Sequence, residues 1–337
     1  MNRRFVFAAL LCAAVARPGT AAVRVSGYAS ADYLKGQRQS QFSPGTFTNL
    51  RAGVLLSGEF ATRFTYGIEA RAVDGSEFDL DQAWAGFAAS DAFQVRAGLF
   101  LVPFGAYNEA SRAFQTSLVA APLPVSDIYP ESWRDIGVLV EGKFGFLRYA
   151  AFIGNGLAEA EDFRSGQQFG DNNLDKGRGG RVGLLLGQGF EVGVSYYSGK
   201  VDAGNERSLA LTGLDASWSS ESIHLTAEYI KAAVDNPASY GRGTAEGLFV
   251  LCSFDIGSTS VLVAYQKYRS DDPFHGAGFA GPFAPGLGLQ DNRRTWAAGL
   301  VATLAPGLLL KGEYDFNSEN GPEVANNVVR AQLAFHF

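Results

Sequence analysis

The sequence predicts an all-β fold, a closed antiparallel transmembrane β-barrel of sixteen strands. Three observations support it. Apolar and polar residues alternate along most of the chain, as in strands with two different faces. The connections between these segments are alternately very short and long, as in a barrel with short periplasmic turns and long external loops. The 337 residues include 41 Gly, 26 Phe and 13 Tyr against one Met, a composition rich in turn formers and aromatics.

Residues 1–22 are predicted to be a secretory signal peptide. Arg3 and Arg4 precede an apolar run from Phe5 to Ala16, and Ala22 suits a cleavage site. The run is shorter than the roughly 20 residues that a transmembrane helix needs. No linker divides the rest of the chain, so we expect one barrel domain over residues 23–337.

The strands are predicted from their period of two. In the stretch "TRFTYGIEARA", Phe64, Tyr66 and Ile68 share one face, whereas Thr65 and Glu69 lie on the other. Sixteen such segments follow one another, at 23–34, 46–58, 61–73, 77–89, 92–101, 133–143, 145–154, 178–187, 190–200, 207–219, 221–233, 242–256, 258–269, 291–304, 307–318 and 324–337.

Lipid is the expected cover of the apolar face. Strands in lipid must close into a ring because unpaired backbone groups are costly there, and an even number brings the first strand beside the last. Side chains cannot fill the interior of so wide a barrel, so we expect a water-filled channel. The longest connection, 102–132, carries Phe104, Tyr107 and Phe114 and is too apolar for a solvated loop. It is expected to fold inward and constrict the channel.

The flanks of this connection resemble a known family. "GLFLVPFG" begins at Gly98, "WRDIGVLVEG" at Trp133 and "FIGNG" at Phe152. These stretches are similar to the Gly-x-x-x-x-Pro-Phe-Gly, Arg-Asp-x-Gly and Asn-Gly runs of the phosphate-selective porin O and porin P family. The resemblance implies a trimeric, sixteen-stranded outer-membrane porin whose third external loop narrows the pore. The matched residues expected to shape the loop are Pro103, Phe104, Gly105, Arg134, Asp135, Gly137, Asn155 and Gly156.

Charged residues are predicted to line the pore and its constriction. The candidates are Arg51, Arg63, Arg71, Arg96, Glu109, Arg112, Asp127, Glu131, Arg134 and Arg330. The four early arginines, 51, 63, 71 and 96, fit two interpretations: a basic strip facing the loop, or ion pairs with Glu69, Asp79 and Asp81. Basic and acidic residues are nearly balanced on the inner face. A phosphate filter needs a dense positive field, so we expect weak selectivity.

The C-terminal residues Leu333, Phe335 and Phe337 share the outer face of the last predicted strand. Phe335 and Phe337 are interpreted as a signal for the barrel-insertion machinery. The other expected partners are outer-membrane lipid, small polar solutes or ions, and two further copies in a homotrimer. The net charge of −6 argues against nucleic acid.

The predicted function is an outer-membrane porin for passive diffusion of small hydrophilic solutes or ions. No catalysis and no cofactor are expected. No metal site is expected either, because the three histidines, His224, His275 and His336, are too few and too dispersed for a metal cluster. The alternatives are a substrate-specific channel for an anion such as phosphate, a barrel enzyme, and a non-conducting adhesion or assembly barrel.

Overall fold

A computed structural model describes residues 23–75, 77–160, 163–236, 242–270, 292–320 and 323–337. The predicted signal peptide, 1–22, lies outside the described residues, as does His275.

The described residues form sixteen strands, which confirms the predicted fold class. Their ends differ from the predicted ones by a few residues. The strands are β1 Arg24–Gly36, β2 Thr46–Ala61, β3 Phe64–Val73, β4 Glu77–Ser90, β5 Phe93–Leu101, β6 Arg134–Phe144, β7 Leu147–Gly154, β8 Gly177–Gly187, β9 Phe190–Lys200, β10 Ser208–Ser219, β11 Ile223–Val234, β12 Gly243–Ile256, β13 Thr259–Ser270, β14 Asn292–Ala305, β15 Leu308–Glu319 and β16 Val328–His336.

The sheet closes on itself. Each strand pairs antiparallel with its neighbours in sequence, and β1 pairs with β16 to complete the ring. Tyr28 lies opposite His336 in this last pair. Beyond it, the N–H of Gly27 donates to the carbonyl of Phe337 at 3.1 Å, and the N–H of Phe337 donates to the carbonyl of Gly27 at 3.0 Å. The ring therefore leaves no sheet edge unpaired between β1 and β16.

The two faces of the sheet have opposite chemistry. In β3, Ile68 is 41% exposed whereas Glu69 beside it is 1% exposed. Similar exposed apolar side chains occur around the barrel, including Val54, Val138, Val194 and Val263. An exposed apolar face with polar side chains inside is the arrangement of a membrane barrel.

The two ends of the barrel also differ. At one end, here the turn end, a short turn joins each even-numbered strand from β2 to β14 to the next strand along the chain. The other end, here the loop end, carries the longer connections. One of them, residues 102–133, contains a short helix, α1, Leu123–Ile128, and a 3-10 turn, Asn108–Ala110. Among the described residues, no helix is long and apolar enough to cross a membrane.

The main hydrophobic core lies inside the barrel. Residues 102–133, here the inner loop, bring Phe104, Ile128 and Trp133 against inward side chains of the wall, among them Tyr197 and Phe249. Helix α1 packs on β11, β12 and β13. The inner loop therefore folds inward as predicted and supplies a core that the strands alone lack.

Candidate functional site

The inner loop turns into the lumen at Gly105. This residue has a φ of +63°, which is unfavourable for residues with a side chain. A Cβ here would also overlap the carboxylate of Glu228. The space is used by hydrogen bonds: the N–H of Gly105 donates to Ser195 Oγ at 2.9 Å, and the N–H groups of Ala106 and Tyr107 donate to Glu228 at 3.1 and 3.2 Å. The start of the loop is thereby fixed to β9 and β11.

Phe104 anchors the same segment by packing. Its side chain is 1% exposed, and its ring lies 5.7 Å from the rings of both Tyr129 and Trp133, measured between centroids. Trp133 in turn lies edge-on to Tyr197 of β9 at 4.9 Å. Pro103 is buried beside this cluster. The aromatic residues therefore join both ends of the inner loop to the wall.

Asn108 ties the two ends of the loop together. Its amide N–H₂ group donates to the carbonyls of Val102 and Trp133, both at 2.8 Å, and its oxygen accepts the N–H of Trp133 at 2.8 Å. Asn108 is buried. Sequence reasoning missed this residue because the contact joins positions 25 apart along the chain.

Asp135 organises the neighbouring strand ends. Its carboxylate accepts the N–H groups of Ile136 at 2.8 Å, Asn155 at 3.0 Å and Gly156 at 2.9 Å. In the same region Gly137 lies opposite Gly98 on one side and Gly154 on the other.

The residues that carry the family resemblance are thus close together at the base of the inner loop. That they shape the loop stays a prediction.

The far side of the loop is held by β15. Lys311 is 1% exposed and donates to the carbonyl of Ala113, to Thr116 Oγ1 at 3.2 Å and to the carbonyl of Leu118 at 3.4 Å. Glu313 accepts the N–H of Val119 at 2.7 Å. These strand residues contact a segment almost two hundred positions earlier in the chain.

Helix α1 and the loop tip extend these contacts along the wall. Gln266 of β13 accepts the N–H of Leu123 at 2.8 Å, and Arg293 of β14 pairs with Asp127 at 2.7 Å. The ring of Phe114 stacks on His336 with a centroid separation of 4.7 Å. The inner loop therefore leaves the wall at β5, crosses the lumen and contacts the opposite side.

Arg112 connects the loop to β3. Its guanidinium donates to both carboxylate oxygens of Glu69, with a distance of 2.7 Å from Nε to Oε1. Burial alone would lower the pKa of Arg112, but the hydrogen bonds and charge of Glu69 raise it, and the net effect is a rise. Tyr28 and Gln82 also donate to Glu69, at 3.1 and 2.8 Å. The pair therefore fixes the inner loop to β3 and also places charged groups in the lumen.

Further ion pairs surround this tie. Arg51 of β2 binds Glu131 through both guanidinium NH₂ groups, at 2.6 and 3.2 Å. Asp81 of β4 accepts hydrogen bonds from Arg71 and Arg134, at 3.2 and 2.7 Å.

The four early arginines do not share one environment. Arg51 and Arg71 pair with acids as described, and Arg96 pairs with Glu141 at 2.5 Å while lying over the Trp84 ring. Arg63 lies in the turn between β2 and β3 with a φ of +69°, so it is placed outside the expected strip. The contacts of the other three agree with the ion-pair interpretation, although two of the acids, Glu131 and Glu141, were not the expected ones. Arg330 pairs with Asp315 at 2.5 Å.

Open space remains on either side of the inner loop. A cavity of about 260 Å³ separates the loop from β10–β12, one of about 190 Å³ lies toward β6–β8, and one of about 1030 Å³ opens at the turn end. Glu109 is exposed beside the second cavity, where the Arg148 side chain is 53% exposed. Representative lining residues of the three cavities are, in this order, Gln115, Thr226 and Phe249; Glu109, Glu141 and Arg148; and Arg24, Glu59 and Arg96.

The chemistry of the lumen is that of a polar passage. Within the described ranges, no group of three or more His, Cys, Asp or Glu residues is arranged to hold a metal ion. The charged groups that contact the inner loop are mostly paired with groups of opposite sign. Ser195, Glu228 and Lys311 are among the wall residues that sequence reasoning did not connect with the loop, because strand parity shows which face a residue occupies but not what it touches.

Comparison with known proteins identifies a family. The model of the Gram-negative porin family matches residues 8–322. An uncharacterised protein of Aquifex aeolicus (strain VF5) is 24% identical over 193 residues, which are 52% of this chain and 44% of that protein. The chain thus spans less than half the length of this relative.

Solved structures share the fold at low sequence identity. An anion-selective porin from Comamonas acidovorans has a TM-score of 0.69 and 12% identity, with 94% of this chain and 100% of that chain covered. OmpF of Salmonella typhi, in complex with daunomycin, has a TM-score of 0.66 and 12% identity over 94% and 97% of the two chains. The trimer form of in-vitro folded OmpT from Vibrio cholerae has a TM-score of 0.66 and 11% identity over 95% and 100%.

Proposed function

The chain belongs to the Gram-negative porin family, and from this premise we propose that it forms a water-filled channel for small hydrophilic solutes and ions in the outer membrane. Passage is passive diffusion, limited in size by the inner loop. The observation that carries the proposal is this loop, which is bonded to β3 through Arg112 and, on the opposite side of the ring, to β11 through Glu228. A loop held on both sides of the lumen divides the interior into narrow polar passages.

Weak ion selectivity is the second part of the proposal. Arg51, Arg112 and Arg134 each pair with an acid, so their fields largely cancel at the distance of a passing ion. Glu109 and Arg148 are exposed, have opposite signs and are the groups expected to tune this selectivity; Arg148 also contacts Glu191 at 3.4 Å, but its side chain is 53% exposed.

The test is single-channel recording of the refolded protein in a KCl gradient. We expect a measurable conductance with a reversal potential near zero. Glu109→Gln should shift the preference toward anions, and Arg148→Gln, the matched change of the other sign, should shift it toward cations. A folded protein that conducts no ions would overturn the channel proposal. Strong block of the chloride current by phosphate would instead support the phosphate-type anion channel.

Assembly and export complete the proposal. The protein is a homotrimer, a state that the trimer form of Vibrio cholerae OmpT illustrates for the same fold. It is made with a signal peptide cleaved after Ala22, and its C-terminal strand, with Phe335 and Phe337 on the outer face, is read by the barrel-insertion machinery. It performs no catalysis. Mass measurement of the purified protein tests the cleavage site, and its molar mass in detergent tests the trimer.

A further inference from the structure

The outer face of β11–β14 carries charges on a surface that is otherwise apolar. Lys231 is exposed while its neighbours Ile230 and Ala232 are both 0% exposed, so its side chain lies on the outer face. Arg294 is exposed beside the buried Thr295 in the same way. The same alternation places three more charged residues on this face, Glu246, Lys267 and Arg269.

These charges share one height on the barrel. They lie within a few residues of the loop end of their strands, where β11 ends at Val234 and β14 begins at Asn292. Toward the middle of the barrel, the next outward residues are the aromatic side chains of Tyr229, Tyr265 and Trp296. Such an aromatic girdle marks the boundary between hydrocarbon and headgroups in membrane barrels. The charges therefore lie in the headgroup layer of the external leaflet.

Strand pairing makes these residues one contiguous patch. Lys231 lies opposite Glu246, Glu246 opposite Arg269, and Lys267 opposite Arg294. Residues paired in this way have Cβ atoms about 4.5–5.5 Å apart. Four adjacent strands at a spacing of about 4.8 Å make the patch roughly 14 Å wide. Its members, here the outer basic patch, are Lys231, Glu246, Lys267, Arg269 and Arg294.

The outer basic patch has an excess of positive charge. Glu246, the one acid, pairs with Arg269 at 3.2 Å and accepts the hydroxyl of Tyr229 at 2.8 Å. Within the part of the chain that the structure describes, neither Lys231 nor Lys267 has an ion-pair partner. Arg294 donates to the neutral amide oxygen of Asn320 at 3.0 Å. Lys231, Lys267 and Arg294 therefore leave three positive charges in excess of the Arg269–Glu246 pair.

We propose that the outer basic patch binds the phosphate groups of an anionic lipid headgroup in the external leaflet. The position of the patch beside an aromatic girdle brings lipid headgroups to it, and its width and three excess charges suit a headgroup with more than one phosphate. The proposal rests on the membrane placement given under Proposed function but not on conduction.

The test measures binding of diphosphoryl lipid A, in micelles of a neutral detergent, to the refolded full-length protein. The main variant combines Lys231→Gln, Lys267→Gln and Arg294→Gln. Each cation near a membrane surface contributes about fivefold to the binding of anionic lipid, so we expect roughly 100-fold weaker binding. Unchanged affinity in this variant would overturn the proposal.

The matched control is Arg178→Gln. Arg178 is also exposed near the loop end, in β8, opposite Ser198. Its removal should leave lipid A binding within about twofold of the starting value, because a single charge away from the patch contributes little. An equal loss of binding in the control would show that general surface charge, and not the outer basic patch, determines lipid A binding. That result would overturn the specific site.

Two further probes distinguish a lipid headgroup from free phosphate. Inorganic pyrophosphate should bind far more weakly than lipid A, since it lacks the acyl chains that contact the outer face. Equal affinity for pyrophosphate would overturn the lipid assignment. Phosphatidylglycerol micelles, with one phosphate per lipid, should bind more weakly than lipid A.

Conductance of the triple variant should equal that of the unmodified protein. If the protein binds lipid A but does not conduct, the channel proposal fails and the lipid site stands. If the triple variant fails to refold, Lys231→Gln alone should still weaken lipid A binding about fivefold.

Discussion

Gly105 sets the path of the inner loop through two separate constraints. Its backbone has a positive φ, and the position of a Cβ is taken by the Glu228 carboxylate that binds the next two N–H groups. The sequence motif predicted that this glycine shapes the loop, but it did not predict the contact with Glu228. Glu228 follows it by more than a hundred positions, and no local pattern links them.

Replacement of Gly105 by alanine tests both constraints at once. We expect the variant to lose stability by more than the roughly 1–3 kcal/mol that a strained backbone conformation costs, because the Glu228 carboxylate must also move. The change is measured as a lower unfolding temperature of the barrel in detergent.

Gly145→Ala is the control for this change. Gly145 has a similar φ of +58°, in the turn between β6 and β7, but a Cβ there has no atom within 4 Å. It should cost only the backbone strain and leave conductance unaltered. Equal effects of the two substitutions would show that the contact with Glu228 is unimportant.

At the scale of elements, the inner loop behaves as part of the interior rather than as a surface connection. The sequence indicated this through its apolar content, and Phe104 and Leu118 are buried as that composition requires. It did not indicate which strands receive the loop. The contacts of Lys311 and Glu313 with the loop depend on which strands lie across the lumen from β5. The alternation of apolar and polar residues gives the face of each residue but not the positions of strands around the ring.

Lys311→Met should release the tip of the inner loop from β15. Methionine fills a similar volume but leaves the carbonyls of Ala113 and Leu118 without their donor, at about 1–3 kcal/mol for each buried unsatisfied group. A freed tip should give larger and noisier single-channel currents.

Lys35→Met is the matched control, because it removes a lysine that is exposed near the end of β1 and that, among the described residues, donates to the carbonyl of Ser43. Its currents should equal those of the unmodified protein. Unaltered currents in Lys311→Met would mean that the tip stays in place without this residue.

For the whole molecule, the strand number and the assignment of faces could be predicted because lipid and water impose a period of two on every strand. Ile68 and Glu69 show this rule in adjacent positions. Closure was predicted from the cost of unpaired backbone groups in lipid, and the even count placed the first strand beside the last. The pairing of Tyr28 with His336 agrees with both. The positions of ion pairs such as Arg51 with Glu131 could not be predicted, since they join the wall to a loop of unknown path.

The closing pair also provides a test of the C-terminal signal. Both hydrogen bonds between Phe337 and Gly27 are made by the backbone, although the Phe337 ring also lies against Gly27, so Phe337→Ala should keep these hydrogen bonds. We expect it to lower the amount of protein in the outer membrane while refolding in detergent stays near normal.

Phe144→Ala, at another exposed aromatic near the turn end, is the control and should not lower that amount. Equal losses in the two variants would show that exposed aromatic area, and not a terminal signal, determines insertion.

The ties between Arg112 and Glu69 of β3 and between the start of the inner loop and Glu228 of β11 act across the diameter of the ring. A cross-brace of this kind keeps a thin-walled cylinder from flattening, so the same bonds set both the width of the passage and the rigidity of the wall. Permeability and heat resistance are consequently linked. Variants selected for the uptake of bulkier solutes by loss of these ties should have barrels that unfold at lower temperature.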